Sequence, residues 1–219
     1  RTAQHQPDGS VRTLVYDLNG LPIARVSPKG DRVTTTYDSV GRPVAVRNPL
    51  NSIVTTLYTL TGNVQAVMNP LRQRTTYAYD GAGRMIAARN PLDEVVTSLY
   101  DTDGRKIAVV TPGNGRTSFQ YSPTGQLLLE QNPLGQTTTY AYDSVGRRIS
   151  RTNPLKQTTR FFYDSVGRMI AQENPLGQRT TYLFDLNGWR VATITPLGAR
   201  TSYTFDADGR MIRSTNPLN

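Results

Sequence analysis

Carboxylates are the first residues in this chain whose types and spacing could do chemistry. Eight of the sixteen acidic residues, Asp17, Asp38, Asp80, Asp101, Asp143, Asp164, Asp185 and Asp206, directly follow an aromatic residue and recur at multiples of 21 residues. Such a column could hold metal ions or supply paired acids. It could equally cap turns, each carboxylate accepting backbone N–H bonds and meeting an arginine four residues on. A carboxylate repeated at a fixed period cannot be a unique active site, so capping is the reading that fits. Asp101-Thr-Asp103-Gly104 and Asp206-Ala-Asp208-Gly209 resemble fragments of calcium loops, as do Asp17-Leu-Asn19-Gly20 and Asp185-Leu-Asn187-Gly188. Calcium takes six to eight oxygens, and an EF-hand loop ends on a glutamate at its twelfth position. No glutamate follows these segments in register, so no metal or other cofactor is expected.

Nucleophilic catalysis finds no support. The single histidine, His5, sits near the N-terminus, where a frayed end is expected, and there is no cysteine. No Ser/His/Asp triad can be assembled. Gly113-Asn-Gly115 reads as a longer turn and not a phosphate loop, since no Lys-Ser/Thr accompanies it. The net charge of +9 suggests affinity for polyanions, but the arginines are spread along the chain without a focused patch. Arginine and tyrosine interleave as in some single-strand nucleic-acid binders. Here the tyrosines are expected to pack on one another, which argues against nucleic acid. Exposed tyrosines and Trp189 could stack on sugars. No apolar run reaches the roughly 18 residues of a membrane-spanning helix.

The elements that position these residues follow from an internal repeat. An anchor aromatic falls at Tyr16, Tyr37, Tyr58, Tyr79, Tyr100, Tyr121, Tyr142 and Tyr163, then as Phe184 and Phe205, always 21 residues apart. Four residues after each anchor stands a glycine, Gly83, Gly146 and Gly167 among them, and prolines such as Pro91, Pro133, Pro154 and Pro175 keep the same beat. Each unit parses into two turns and two strands. In Asn132-Pro133-Leu134-Gly135, proline presets φ for the second turn position, and Asn and Gly suit the first and fourth. In Asp143-Ser144-Val145-Gly146 the glycine supplies positive φ as the bulge residue closing a hairpin.

Segments of about six residues lie between the turns, a typical strand length. Tyr140 and Tyr142 share one face, Thr139 and Ala141 the other. The second strand carries an aliphatic three residues after the glycine (Ile23, Val44, Ile86, Ile107, Leu128, Ile149, Ile170, Val191, Ile212), broken at Gln65. Sixteen of the eighteen aromatics occupy the anchor column or the position two before it; Phe162 and Trp189 do not. Successive hairpins are therefore expected to stack ring over ring. Two turns per unit favour antiparallel hairpins over a β-solenoid of single-strand coils. The fold class expected is all-β: tandem 21-residue antiparallel β-hairpins in a long, twisted sheet that curls into a spiral or part of a hollow shell, because open sheets rarely stay flat beyond about ten strands.

The unit Tyr-Asp-x-x-Gly-Arg, followed by Asn-Pro-Leu-Gly and a Thr-rich strand, closely resembles the tyrosine–aspartate (YD) repeat of the Rhs family. Tyr37-Asp38 with Gly41-Arg42, Tyr79-Asp80 with Gly83-Arg84, Tyr100-Asp101 with Gly104-Arg105, Tyr142-Asp143 with Gly146-Arg147 and Tyr163-Asp164 with Gly167-Arg168 carry the match. That family includes bacterial polymorphic toxins, wall-associated proteins, B/C components of insecticidal toxin complexes, and teneurins. The resemblance implies a β-sheet shell able to enclose a toxin domain, with adhesion or glycan contacts in some members. Family self-cleavage belongs to a core after the repeats, and no such core is seen here. Departures are local: Thr59 and Asn63, Ser122 and Gln126, Phe184 and Phe205, Trp189 and Leu21 replace the usual residues.

These readings lead to one array of ten repeats over 1–219, a piece of a longer protein whose open edges meet further repeats, a cap or another copy. The expected role is a non-catalytic scaffold of a large secreted or cell-surface protein, enclosing or displaying another domain. An adhesin binding glycans and a self-assembling filament are the alternatives. No nucleic-acid partner and no membrane span are expected.

Overall fold

The structure is a computed structural model that describes residues 2–5 and 11–217. Pro7, Leu218 and Asn219 lie outside the described residues, as do the side chains of Thr2, Gln4, His5 and Val11. The chain divides into two compact units, residues 1–99 with 109–114, and residues 100–108 with 115–219. Both are built from the same two alternating strands, one of six residues ending on the anchor aromatic and one of five beginning two residues after the column glycine. Among the described residues no helix is long and apolar enough to cross a membrane.

Pairing follows chain order within each unit. In the first, Thr2–His5 pairs antiparallel with Val11–Tyr16, which pairs with Pro22–Val26, and the sequence continues to Met85–Arg89 with Val95–Tyr100. In the second, Arg116–Tyr121 pairs with Leu127–Gln131, and the pattern runs to Arg200–Phe205 with Met211–Thr215. Neighbouring segments alternate Val, Ile, Thr and Tyr with turn residues, and loops too short for a crossover leave only antiparallel hairpins. His5, expected at a frayed end, has its backbone in a strand opposite Val11.

Both turns have one geometry. Gly146 N–H donates to Asp143 O at 3.1 Å and Asp143 N–H to Arg147 O at 2.9 Å, while Gly135 N–H donates to Asn132 O at 3.0 Å and Asn132 N–H to Gln136 O at 2.9 Å. Each is a four-residue turn closed by a residue in the left-handed region, as the sequence reading places Gly146. The segment at Gly113, read as a longer turn, is of ordinary length, with Asn114 N–H on Thr111 O. The second turn tolerates non-glycine residues at its closing position: Asn51, Arg72, Asp93, Asn114 and Lys156 all hold φ near +60°. A side chain there costs about 1–2 kcal/mol. Lys156→Gly is therefore expected to stabilise the protein by about 1 kcal/mol, read as a rightward shift of the urea midpoint.

A second irregularity was not foreseen. Ala141 pairs with Ser150 but Tyr142 pairs with Arg148, so Ile149 is the extra residue of a β-bulge. The same slip recurs at Val15/Tyr16, Thr36/Tyr37, Leu57/Tyr58 and Ala78/Tyr79. The aliphatic column three residues after the glycine is thus the bulge column. Its members are only partly covered, with Ile149 at 38% exposure and Ile212 at 67%. The buried column lies one residue on: Ala24, Ala66, Ala108, Ala171 and Ala192 are at most 2% exposed. Cross-strand register puts Ala171 opposite both Phe162 and Thr181. A methyl group sits low on the pleat, so taller side chains on the two flanking strands cover it without a second layer of structure.

Candidate functional site

The chemistry-bearing side chains converge on the seam between one hairpin and the next. Asp143 shows how. Its Oδ1 accepts from Val145 N at 3.1 Å and Arg147 N at 2.9 Å, fixing the turn. Its Oδ2 accepts from Arg147 Nε at 2.7 Å. Asp38, Asp80, Asp101 and Asp164 hold Arg42, Arg84, Arg105 and Arg168 at the same 2.7 Å. Where aspartate is replaced, a hydroxyl takes over part of the role: Thr59 Oγ1 accepts from Asn63 N at 3.1 Å, and Ser122 Oγ from Gln126 N at 3.0 Å. The Asn-Pro turn uses the amide equivalently, with Asn132 Oδ1 accepting from Leu134 N and Gln136 N at 3.0 Å and Nδ2 donating to Gln136 Oε1 at 2.8 Å.

The arginine then reaches into the next repeat. Arg147 donates from a terminal guanidinium nitrogen to Asp164 O at 3.0 Å, and its guanidinium carbon lies 5.0 Å from the Tyr163 ring centroid. Arg42 over Tyr58, Arg105 over Tyr121 and Arg168 over Phe184 repeat the arrangement at 4.7, 5.4 and 5.0 Å. The anchor hydroxyl reaches back: Tyr163 Oη–H donates to Arg148 O at 3.0 Å, Tyr142 to Leu127 O and Tyr79 to Val64 O at 2.9 Å, each a residue at the bulge. Every clasp therefore ties turn, ring and bulge of consecutive hairpins together.

This geometry corrects the ring-over-ring ladder. Each repeat contains two strands, so like positions on successive hairpins are about 9.6 Å apart, beyond the 4.5–7 Å of direct ring contact. Arginine fills the gap. The second aromatic column is interleaved too: Arg148 lies 5.9 Å from Tyr140 and 4.9 Å from Phe161, and Arg190 5.6 Å from Tyr182 and 5.4 Å from Tyr203. Trp189, which replaces a clasp arginine, covers the next anchor itself, with its ring 5.5 Å from Phe205. Phe162, the other aromatic outside the columns, meets Arg179 at 4.5 Å.

Phe184 lacks the hydroxyl that elsewhere reaches the carbonyl fifteen residues upstream, here Met169. Phe184→Tyr is expected to add that bond and stabilise the protein by about 1 kcal/mol, checked by chemical denaturation of the two forms.

Two of the four calcium-loop-like segments hold their carboxylates against arginine, while Asp17 and Asp185 accept backbone N–H bonds in their turns. Arg105 bridges Asp101 at 2.7 Å and Asp103 at 2.8 Å, and Arg210 lies 3.1 Å from Asp208. Among the described residues no group of three or more metal-ligating side chains forms.

The clasp carboxylates titrate low. Backbone N–H donation, from Arg42 to Asp38 and from Arg84 to Asp80, is the main cause at those two positions, assisted by the arginine side chains and opposed by partial burial. At Asp101, Asp143 and Asp164 burial pushes upward most strongly, but hydrogen bonds and the charge of Arg105, Arg147 and Arg168 together outweigh it. A carboxylate whose folded pKa is depressed stabilises fully above its unfolded value, near 3.9, and loses that contribution as pH falls through the folded value. The melting midpoint is expected to stay level from about pH 7 to pH 5 and to drop below about pH 4. A fall already complete at pH 5 would contradict the clasp as the acid-sensitive element.

Comparison with known proteins agrees with this geometry. A family model described as RHS Repeat matches residues 16–53, 58–95, 121–159, 163–200 and 184–219. No curated protein matches the chain. Among solved structures, the crystal structure of TcdB2-TccC3-TEV is similar over 99% of this chain and 16% of that one, with TM-score 0.60 and 16% identity. TcdB2-TccC3 without its hypervariable C-terminal region gives TM-score 0.61 and 16% identity over 98% of this chain and 15% of that one. The Photorhabdus luminescens Tc holotoxin pore gives TM-score 0.60 and 16% identity over 99% and 15%. The chain spans about a sixth of the length of these solved chains, and at this identity the likeness establishes the fold. A 21-residue hairpin unit, clasped to its neighbour through Asp, Arg and Tyr and matched by the repeat model along most of its length, places this chain in the RHS repeat family.

Proposed function

We propose that the chain is a non-catalytic wall segment of a large secreted or cell-surface RHS-repeat protein, part of one array of ten repeats that encloses or displays another domain such as a toxin. One observation carries this reading: where a repeat keeps Asp, Arg and Tyr, the side chains that could do chemistry are spent on closing their own turn and on holding the adjoining repeat. Asp143, Arg147 and Tyr163 bond to one another's turns and carbonyls, as do Asp38, Arg42 and Tyr58 and again Asp101, Arg105 and Tyr121. An array built this way gains stability from neighbour contacts and extends by adding hairpins. The toxin-complex components among the similar structures make an enclosed toxin the natural cargo, and further repeats the natural lateral partners. The test is limited proteolysis of the full-length protein that carries this segment. A protected domain, released when clasp arginines are replaced by alanine, is the expected result. Equal cleavage of that domain with the array intact would overturn enclosure.

A second reading is glycan binding on the aromatic face. An open groove of about 480 Å³ lined by Arg168, Met169, Tyr182, Phe184 and Arg190 offers ring faces for sugar stacking and cations for acidic groups. A glycan array probed with the chain would give hits weakened by Tyr182→Ala, and uniformly blank spots would remove this reading.

A further inference from the structure

The seam between the first two hairpins departs from the clasp in one respect only. In other seams Arg42, Arg105, Arg147 and Arg168 each pair with the aspartate of their own turn, donate to the first carbonyl of the next turn and cover the next anchor ring. At the first seam the acceptors are all in place, in Asp17, the Asp38 carbonyl and the Tyr37 ring, but Leu21 stands in the arginine column. Asp17 Oδ1 accepts from Asn19 N at 2.9 Å and Leu21 N at 2.8 Å, whereas Oδ2 meets no cation and no donor among the described residues. Asp38 O accepts from Gly41 N at 3.1 Å. Its counterpart Asp164 O takes Gly167 N at 3.1 Å and Arg147 at 3.0 Å together, so this carbonyl can serve a guanidinium as well as its own turn. The other irregular seams do not keep this set. Thr59 and Ser122 replace the carboxylate where Asn63 and Gln126 replace the arginine, and Trp189 covers Phe205 directly.

A cleft of about 860 Å³ opens at the first seam, with Asp17, Leu21, Ile23, Tyr37, Asp38 and Val40 among its walls. No lysine or arginine lines it, although the chain carries a net charge of +9. The cation that completes this clasp therefore has to come from another molecule. Leu21 lies against Gly41, with its Cδ1 3.7 Å from where a Cβ would stand, and offers an apolar wall to the methylene stem of a long cationic side chain. Val40, 71% exposed, continues that wall outward.

We infer that this seam docks an arginine side chain of a partner polypeptide. The guanidinium bonds to Asp17 and the Asp38 carbonyl and lies over the Tyr37 ring, while an apolar residue beside the arginine rests on Val40. Arginine suits the site better than lysine, because its planar fork serves a carboxylate and a carbonyl at once and stacks on an aromatic face, whereas an ammonium is a point charge. A divalent cation is the poorer fit: it needs several oxygen ligands, and no group of three metal-ligating side chains gathers among the described residues.

Acetyl-Arg-Leu-amide, titrated into the isotopically labelled 219-residue chain at about 0.15 M ionic strength, tests this through the NMR amide shifts of Asn19, Leu21 and Gly41. Saturable shifts with a Kd of about 1 mM or below are expected, and acetyl-Lys-Leu-amide should bind about fivefold or more weaker. Leu21→Arg supplies the cation within the chain and is expected to abolish peptide binding while raising the melting midpoint. Asp17→Asn keeps a turn-capping oxygen, as Asn132 does in its own turn, and should weaken binding about tenfold with the midpoint within about 2 °C of the parent. Asp31→Asn removes the same charge in the turn at the far end of the strand that ends on Tyr37, and should bind within about twofold of the parent. Equal losses in the two aspartate variants would reduce the effect to net charge and overturn the site. So would undiminished binding by Leu21→Arg, equal binding of the two peptides, or no shift up to about 10 mM peptide. Agmatine binding as tightly as the arginine peptide would overturn a polypeptide partner.

Discussion

Replacing Gly146 by valine is expected to lower the thermal midpoint by about 5–10 °C. Gly146 holds φ at +90°, where a β-branched residue is a genuine outlier. The backbone cost is about 2–3 kcal/mol. Space adds little: a Cβ at this position would lie 3.0 Å from the end of the flexible Gln126 side chain of the preceding repeat, which can move aside, so the backbone conformation carries the cost. The other turn provides the control. Gly135→Asn should cost much less, because its column already holds Asn51 and Asn114 with the same positive φ. A Gly146→Val protein melting within about a degree of the parent, by circular dichroism, would show that the turn closes in another way.

The second large effect is expected at Arg147. Alanine there removes the bond to Asp143, the bond to the Asp164 carbonyl and the contact with the Tyr163 ring. The loss should be about 2–3 kcal/mol, since hydrogen bonds to charged groups contribute more than neutral ones and a cation over a ring adds up to about 1. A double-mutant cycle isolates the ring. Arg147→Ala and Tyr163→Leu, singly and together, should show about 0.5–1 kcal/mol of coupling. Additive losses would mean that the guanidinium is held by hydrogen bonds alone. Arg147→Lys should recover only part of the loss, because an ammonium keeps charge but lacks the planar fork that serves Asp143 and Asp164 at once. Trp189 supports the same account from the native chain: an aromatic in the arginine column still covers the next anchor, so the position serves to shield that ring as well as to pair a charge.

The sequence by itself determined the period, the two turns and the all-β hairpin architecture. Those features depend on residues one to five positions apart, and glycine, proline and Asx chemistry acts at that range. The Asp–Arg contact was legible for the same reason, since both ends of it lie within one turn. Tertiary structure decided what happens between repeats. The bulge at Ile149 depends on how Arg148 and Tyr142 meet across strands, which no local pattern encodes. It made the aliphatic column half-open and left Ala171 and its counterparts as the covered row. The interleaving of Arg147 between successive anchors depends on the two-strand separation of like residues. A period of 21 reveals that identical side chains line up; only the inter-strand spacing shows that they stand too far apart to touch and need a cation between them.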